Sequence, residues 1–346
     1  MLRFKILSFF SLTILLSVLL LHPRPGESSS VFRRLTNTAE QSLNLNPILS
    51  DDGQIVAFET TADVAITGTS ASVHTVRGRV TSDAVEFGEI GRTRGQPSLS
   101  ADGGVIAFAS FENLLGKNED RNSEIFLHDG NGLKQLTETL PTDESTRLED
   151  GNFQPSISGD GRFVVFSSNR SLVGSRAESR RSIYLIDILS NVITKLITAE
   201  EGVDCTAPKI SAEGNRVFYV RLHEGSLGDL VLHERLTGES RFVLKNVAGL
   251  ELSVGRAVSA NGSRITYSAT VEKDDRELFV YDVASSSGRL LRPACFGQDV
   301  AAVVEVVDHP QQPLALLVAH AAQPATVGDV ETLQEALGVH LADTRQ

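Results

Sequence analysis

Short apolar runs alternate with polar turns along most of this chain, and one such arrangement occurs five times. In each copy an aliphatic residue and a serine precede an acidic or amide residue and a glycine, and a β-prone run ending in an aromatic residue follows. The copies occupy residues 46–58, 96–108, 154–166, 207–219 and 255–267. A pair such as Asp-Gly between two apolar runs is typical of a β-hairpin, because glycine tolerates the positive φ of a tight turn. Each copy therefore predicts a strand, a tight turn and a second strand.

The copies align without gaps, so equivalent positions can be compared. The turn glycines are Gly53, Gly103, Gly161, Gly214 and Gly262, and the aromatic residues are Phe58, Phe108, Phe166, Tyr219 and Tyr267. Pro47, Pro97, Pro155 and Pro208 stand near the start of four copies, and Arg256 takes that place in the fifth. Proline is tolerated where a strand begins, because its missing N–H harms the sheet least there. We expect the aromatic ring to pack on the face of its sheet.

Two further strand-like runs follow each copy. Clear examples are residues 124–129 and 133–138, 182–188 and 193–198, 229–235 and 240–246, and 277–283 and 288–294. Successive copies start about 50, 58, 53 and 48 residues apart. Four strands in a unit of this length are typical of one blade of a β-propeller. A single blade buries too little apolar surface to be stable alone, so neighbouring blades must cover its faces.

The two ends of the chain predict how the ring closes. Residues 303–307, 314–320 and 338–344 could supply three strands of a degenerate last blade at about 300–346, although 328–337 is more typical of a short helix. Residues 32–37 resemble the fourth strand of the other units, and a strand donated from the opposite terminus would remove a free sheet edge. We therefore expect an all-β, six-bladed propeller of four-stranded antiparallel blades over residues 31–346. Five blades followed by an unrelated tail is the alternative.

Residues 1–30 have the layout of a secretory signal peptide. Arg3 and Lys5 precede an apolar run over residues 6–21, which a proline-rich stretch ends. The run is 16 residues long, slightly shorter than the roughly 20 residues that span a bilayer. A cleaved signal and a retained anchor both remain open. We expect a periplasmic or secreted protein, or one tethered to the outer face of the inner membrane.

The net charge limits the partners. The chain carries −12, and because residues 1–30 carry +2, the remainder carries −14. An acidic body argues against nucleic acid, which needs clustered Lys and Arg. Membrane contact is expected only through a retained N-terminal segment, and the charge favours a soluble protein, which we expect to be a monomer.

The two cysteines are not expected to form a disulfide. Cys205 precedes the fourth copy, and Cys295 follows the last strand of the fifth. The repeat therefore places them on blades that are not adjacent, beyond the Cα separation of a disulfide. We expect two free, mostly buried thiols.

Catalytic signatures are missing from the sequence. It has no G-x-S-x-G elbow, and its eight histidines form no zinc-binding pair. His74, His128, His233 and His340 fall in predicted third strands, where a structural role is expected. These observations favour a protein that is not an enzyme and that holds no cofactor or metal.

Calcium is the one metal for which the sequence offers a candidate site. Asn118, Asp120, Asn122 and Glu124 alternate in a loop and supply oxygen ligands. The twelve-residue loop with its central glycine is absent, and such residues also make local turns. A calcium site and a purely structural loop both remain open.

Candidate partner-binding residues fall at the end of each blade that lies opposite the Ser-x-x-Gly hairpins. Asn46, Gln96 and Gln154 directly precede the prolines, and their amides could surround the mouth of a central channel or cap strand ends. Long charged loops join the second and third strands of the second and third units. The first of these loops contains Arg121, and the second contains Arg180 and Arg181. Loops held by a rigid scaffold often carry function, so we select these six residues as a candidate binding surface.

The copies resemble the TolB-like β-propeller repeats of bacterial extracytoplasmic proteins, which are related to the WD-type repeats. The stretch QPSISGDGRFVVFSSN, residues 154–169, and the segment at residues 113–129 carry the resemblance, which extends over about residues 32–293. TolB places an α/β domain before its propeller, whereas the first repeat here begins at residue 46, soon after the predicted signal segment at residues 1–30. The tryptophan common in the repeat is also absent, since the chain contains no Trp. The resemblance implies the fold, and a protein other than TolB itself.

Propellers host many unrelated activities, so the repeat does not identify the ligand. The intact repeats without catalytic residues favour an extracytoplasmic scaffold that binds a protein or peptide through one rim. The alternative is a protein that binds a small ligand or glycan at the channel mouth, or a hydrolase or lyase that acts there.

Overall fold

The computed structural model describes residues 34–39, 41–66, 73–81, 84–92, 96–146, 148–174, 180–225, 227–252, 255–271, 275–290 and 303–304. These residues form five antiparallel sheets, all within the compact unit that begins at Thr38. Of the preceding unit, only residues 34–37 are described. No helix in these ranges is long and apolar enough to cross a bilayer.

Each sheet is one blade, and its strands follow one another in chain order. Blade 1 contains β1 (Asn44–Leu49), β2 (Ile55–Thr60), β3 (His74–Val80) and β4 (Val85–Arg92). Blade 2 contains β5 (Ser98–Leu99), β6 (Ile106–Ser110), β7 (Glu124–Asp129) and β8 (Gly132–Gln135). Blade 3 contains β9 (Asn152–Ile157), β10 (Phe163–Ser168), β11 (Ser182–Asp187) and β12 (Val192–Ile197). Blade 4 contains β13 (Val203–Ile210), β14 (Arg216–His223), β15 (Leu227–Glu234) and β16 (Glu239–Ala248). Blade 5 contains β17 (Glu251–Leu252), β18 (Arg264–Thr270), β19 (Arg276–Asp282), β20 (Ser287–Leu290) and β21 (Val303–Val304). The predicted all-β fold and its four-stranded units are confirmed, and a 3-10 helix, Glu144–Thr146, lies between blades 2 and 3.

The prediction of six blades closed by an N-terminal strand is corrected by the structure, because the described residues form five blades. Val303 and Val304, which we expected in a sixth blade, pair with Arg289 and Gly288 of β20. The outer edge of β20 offers unpaired N–H and C=O groups, so these valines extend blade 5 instead of starting a new sheet. Residues 34–37 form no strand. Residues 32–33 and 305–346, with the expected helix at 328–337, lie outside the described residues.

The Ser-x-Asp-Gly turn is held by the side chains that recur in the sequence. In blade 2, Ser100 Oγ accepts a hydrogen bond from the N–H of Val105 at 2.9 Å and donates one to Asp102 Oδ1 at 2.6 Å. Asp102 Oδ1 also accepts from the N–H of Gly104 at 2.8 Å. The hydrogen bond from Ser100 and that from Gly104 keep the pKa of Asp102 below its usual value. The motif therefore satisfies backbone donors that a tight turn leaves without partners.

The turn glycines also pack blade against blade. Gly161 and Gly214 have φ of +73° and +72°, and an added Cβ would lie 2.9 Å from Val105 and from the Phe163 ring of the preceding blade, respectively. The turns are joined by backbone hydrogen bonds as well, for example from Ala101 N to the carbonyl of Gly159 at 2.8 Å. Glycine is required at these positions both for its left-handed backbone and for the close approach.

The prolines lie within the inner strands at irregularities of pairing. The register of β1, β9 and β13 shifts next to Pro47, Pro155 and Pro208, respectively. The residue before each of these prolines has a positive φ: Asn46, Gln154 and Ala207. The innermost strand of a blade is an edge strand, where a bulge accommodates the missing N–H of proline.

The recurring aromatic residues form the core of each blade, as expected. Phe108 stacks on Phe126 with 5.7 Å between ring centroids, and Tyr267 stacks on Phe279 at 5.2 Å. Clusters of buried apolar residues span blades 1 and 2, 2 and 3, 3 and 4, and 4 and 5. Sheet-on-sheet burial between consecutive blades therefore stabilises the array.

Candidate functional site

Residues from all five blades line a central cavity of about 230 Å³. Its walls contain the turn segments and inner strands of the repeats: Asp51, Ser98, Leu99, Ser156, Ile157, Gly159, Lys209, Ile210, Ala212, Gly255, Arg256, Ala257, Val258 and Ala260. Because every blade contributes, this cavity lies where a propeller has its central channel. It is the natural place for a small ligand in this fold.

One repeat position faces the channel in most blades and usually carries a small side chain. Ser98 Oγ accepts a hydrogen bond from the N–H of Ile157 at 3.0 Å, and Ser156 Oγ accepts one from the N–H of Ile210 at 3.1 Å. Each of these hydroxyls ties its blade to the next one. Blade 4 has Lys209 at this position, so an ammonium group replaces a hydroxyl.

Lys209 is buried in the channel wall with little compensation. Its side chain is 8% exposed, and its Nζ lies 3.5 Å from Gln96 Oε1. Burial lowers the pKa of Lys209 to about 8, because desolvation disfavours the charged ammonium. A buried ammonium has three donors to satisfy, and the long contact with Gln96 satisfies one of them only weakly.

Arg256 brings a second cation into the channel. It occupies the repeat position of the prolines, and its guanidinium donates to the Asp51 carboxylate and to the carbonyl of Ser100 at 2.7 Å. A further contact joins it to the carbonyl of Leu99 at 3.4 Å. Burial lowers the pKa of Arg256, yet an arginine stays charged throughout the physiological range. Arg256 therefore links blade 5 to blades 1 and 2 across the cavity.

The three amides selected from the sequence have different environments. Asn46 donates to the Glu59 carboxylate within blade 1. Gln154 Oε1 accepts from the N–H of Ala207 at 2.8 Å, so it ties blade 3 to blade 4. Only Gln96 contacts a residue of the channel wall, Lys209. Asn46 and Gln154 thus hold strand ends, and a further role in partner binding stays a prediction.

The three selected arginines lie in the loops between second and third strands. Arg121 pairs with Glu112 at 2.9 Å, and Arg180 pairs with Glu224 at 3.1 Å. The Arg181 guanidinium lies over the Phe153 ring, 4.6 Å from its centroid. These contacts orient the arginines at the loop surface, and their proposed contact with a partner remains untested.

The calcium candidate is a buried polar network around Glu124. Its carboxylate accepts hydrogen bonds from Thr137, from the hydroxyl and N–H of Thr139, and from Asn152 Nδ2 at 2.8 Å. Burial nevertheless raises the pKa of Glu124. Buried oxygens of Asn118, Asp120 and Asn122 have no hydrogen-bond partner, while no group of three or more His, Cys, Asp or Glu within the described ranges is arranged to hold a metal. Calcium binding therefore stays a prediction.

The histidines and the described cysteine have structural surroundings. His233 is buried and contacts Ser240 Oγ at 2.9 Å, and burial lowers the pKa of both His128 and His233. Cys205 is a free, buried thiol, as expected, and burial raises its pKa to about 12. Cys295 and His340 lie outside the described residues.

Lys209 and Arg256 were not selected from the sequence, although a signal was present. Comparing the copies at fixed positions places Lys209 with Ser98 and Ser156, and Arg256 with the prolines. A long cation at a position otherwise held by small or cyclic residues is the departure that identifies the channel site.

Comparisons with known proteins bear on the fold. No family model matches the chain, and no curated protein sequence matches it significantly. Among solved structures, TolB from Acinetobacter baumannii is 18% identical with a TM-score of 0.51, and the alignment covers 71% of this chain and 53% of that protein. A TolB-type protein from Agrobacterium tumefaciens is 16% identical with a TM-score of 0.50, covering 72% of this chain and 80% of that one. An oligogalacturonate lyase from Vibrio parahaemolyticus has a TM-score of 0.46 at 15% identity, covering 74% of this chain and 66% of that one.

The likeness to the two TolB structures confirms the TolB-like β-propeller fold that the repeats predicted. The chain spans about half of the Acinetobacter protein. At such identities the comparison establishes the architecture, and activity must be argued from the residues themselves.

Proposed function

We propose that this propeller is a non-enzymatic scaffold outside the cytoplasm that binds a protein or peptide through its loop rim. The loop rim is the end of the blades formed by the loops between second and third strands and by the connections from each blade to the next. In an antiparallel blade both kinds of loop emerge at the same end, opposite the Ser-x-Asp-Gly hairpins.

Exposed aliphatic side chains on the loop rim carry the proposal. They belong to blades 1 to 3 and their connections: Ile66, Leu115, Leu140, Leu148 and Val173. Ile66 is 91% exposed and has a φ of +56°, an unfavourable conformation for a β-branched residue. Exposed apolar groups gathered on one surface are typical of a protein interaction site.

Ion pairs between these loops give the rim a defined shape. Arg170 and Asp150 are nearly buried and pair at 3.0 Å, joining the third-blade loop to the connection before it. Arg121 and Arg180 pair with carboxylates but remain accessible at the surface. Arginine beside apolar residues is the composition typical of binding hot spots, so the rim combines a rigid frame with groups suited to a partner.

The proposed location and the absence of catalysis rest on the sequence. The apolar segment at residues 6–21 favours export, and no G-x-S-x-G or zinc-ligand motif occurs in the chain. A partner outside the cytoplasm would therefore be a protein or peptide of that compartment.

The test is cross-linking capture from an envelope fraction with rim variants of the full chain. Ile66→Ser and Leu140→Ser should reduce recovery of a captured partner by tenfold or more. Leu189→Ser and Leu236→Ser are matched controls, because both leucines are more than 70% exposed but lie in hairpins at the opposite end. Equal loss in both pairs of variants, or capture that none of them changes, would overturn docking at the loop rim.

The central cavity favours the second candidate, a small-ligand or glycan binder or a hydrolase or lyase. An activity screen against glycans and peptides, with and without calcium, separates the two. Turnover that survives the rim variants would place the function in the channel instead.

A further inference from the structure

The channel carries a positive charge inside an acidic protein. The charged side chains that line it are Lys209, Arg256 and Asp51, so the wall has a net charge of +1 while the chain carries −12. Asp51 pairs with Arg256. The charge that remains uncompensated is therefore the ammonium of Lys209.

Lys209 has no described carboxylate to pair with. Burial is the only effect that shifts its pKa, and its single polar contact is Gln96 Oε1 at 3.5 Å. An isolated buried charge is unfavourable. The other copies avoid this penalty at the same position, since they carry Ile48, Ser98, Ser156 and Ala257. A ligand with a negative charge would compensate the ammonium.

Arg256 is arranged to assist such a ligand. Its guanidinium is fixed by Asp51 and by the carbonyl of Ser100 at 2.7 Å, so its charge is held at the cavity wall without further ordering. Fixed donors bind more strongly than mobile ones because less conformational freedom is lost. Gln96, beside Lys209, adds an amide to the same wall.

We propose that the central cavity binds a carboxylate group, held by Lys209 and Arg256. A net charge of +1 matches one carboxylate, whereas a phosphate dianion would leave an excess negative charge in the channel. The volume of about 230 Å³ equals roughly seven to eight water molecules at about 30 Å³ each. Leu99, Ile157 and Ile210 supply apolar walls, so the carboxylate is expected to carry a few carbon atoms.

The carboxylate could belong to a small organic acid or to the C-terminus of a peptide that enters the channel. The chemistry at Lys209 is the same in both cases. The site lies on inner strands, apart from the aliphatic residues of the loop rim, so its failure would not decide rim docking.

Isothermal titration calorimetry with the full chain at pH 7 tests the proposal. The probes are butyrate, neutral butyramide, inorganic phosphate, and one short peptide with either a free or an amidated C-terminus. Binding of butyrate or of the free-acid peptide, with the neutral counterpart at least tenfold weaker, is the expected result. Butyrate identifies a small acid as the source, and the free-acid peptide alone identifies a chain terminus. Tighter binding of phosphate, equal binding of acid and amide, or no binding of either acid would overturn the proposal.

Lys209→Ser is the decisive variant, because Ser98 and Ser156 show that serine fits the equivalent position. It should weaken carboxylate binding at least tenfold. Lys245→Ser, at an exposed position on the outer strand of the same blade, should leave binding unchanged. Unchanged affinity in Lys209→Ser, with folding confirmed by its thermal transition, would contradict the assignment.

The pH dependence provides a second readout that a purely structural lysine would not give. Since the pKa of free Lys209 is about 8, affinity should fall about fivefold between pH 8 and pH 9, because the protonated fraction drops from about one half to about one tenth. Asp51 and Arg256, the other charged groups that face the cavity, keep their charges over this range. An affinity that is constant from pH 7 to pH 9 would count against Lys209 as the binding group.

Discussion

Gly214 of blade 4 lies against the ring of Phe163 of blade 3, so closely that a Cβ added to the glycine would come within 2.9 Å of the ring. The same relationship joins Gly161 to Val105 in the blades before them. The hairpins of blades 3 and 4 therefore pack against the residue that begins, or directly precedes, the second strand of the preceding blade. This contact makes the turn glycine part of the interface between blades as well as of its own turn.

Replacing Gly214 with alanine should destabilise the protein by about 2–5 kcal/mol, from left-handed strain of about 1–2 kcal/mol and overpacking of about 1–3 kcal/mol. Gly53→Ala is the matched control, since its φ is also +72° but the nearest atom to the added Cβ is Leu49 at 3.9 Å. In Gly53→Ala only the strain of the left-handed backbone should reduce stability. Urea unfolding measures both variants, and equal losses would show that Gly214 does not contact the preceding blade as described.

The serine of the turn motif should also contribute measurably. Ser158→Ala removes the acceptor for the buried N–H of Phe163, a hydrogen bond of 2.9 Å, at a cost of about 1–3 kcal/mol. Ser145→Ala, in the exposed connection between blades 2 and 3, should change stability by less than about 0.5 kcal/mol. Thermal and urea unfolding of the two variants give the comparison. A loss of stability in Ser158→Ala no larger than in Ser145→Ala would show that the Ser158 hydroxyl does not stabilise the turn.

Asp102 should make the stability of the turn depend on acidity. Its folded pKa is depressed below 3.8, chiefly by the hydrogen bond from Ser100. The resulting stabilisation is present above that unfolded value and is lost as the pH falls through the folded pKa. Wild-type protein should therefore lose more stability than Asp102→Asn between pH 5 and pH 2. Parallel pH profiles of the two proteins in urea unfolding would show that Asp102 is not linked to folding.

The thiol of Cys205 should resist modification in the folded protein. It is buried and its pKa is raised to about 12, so almost no thiolate exists at pH 8. In a Cys295→Ser background, a maleimide reagent should label Cys205 at least a hundredfold more slowly in native protein than in denaturant, as read by mass spectrometry. Labelling of the native protein within minutes would mean that the blade 3–4 contact opens readily.

The repeat made the blades predictable because its signals are local. Phe108, at the end of one copy, packs on Phe126 in the strand that follows it, so both partners are close in sequence. The Asp-Gly turns mark the hairpins. The number of blades was harder to predict from the sequence. Val303 and Val304 are apolar and would suit a strand of a sixth blade as well as an added strand of blade 5, and only the free edge of β20 determines where they pair. Lys209 and Arg256 were missed as a pair because they are brought together by the ring, while the sequence separates each of them from its channel partners by many residues.

The most direct test of the channel is the pKa of Lys209, measured by NMR titration of its labelled side chain with Lys209→Ser as the assignment control. The structure predicts a value of about 8, because the ammonium is enclosed by the inner strands, and the bound carboxylate should raise it. A pKa near the ordinary 10.5, unchanged when the carboxylate is added, would be the contradictory result. It would mean that Lys209 is not a buried cation in the wall of a channel enclosed by five blades.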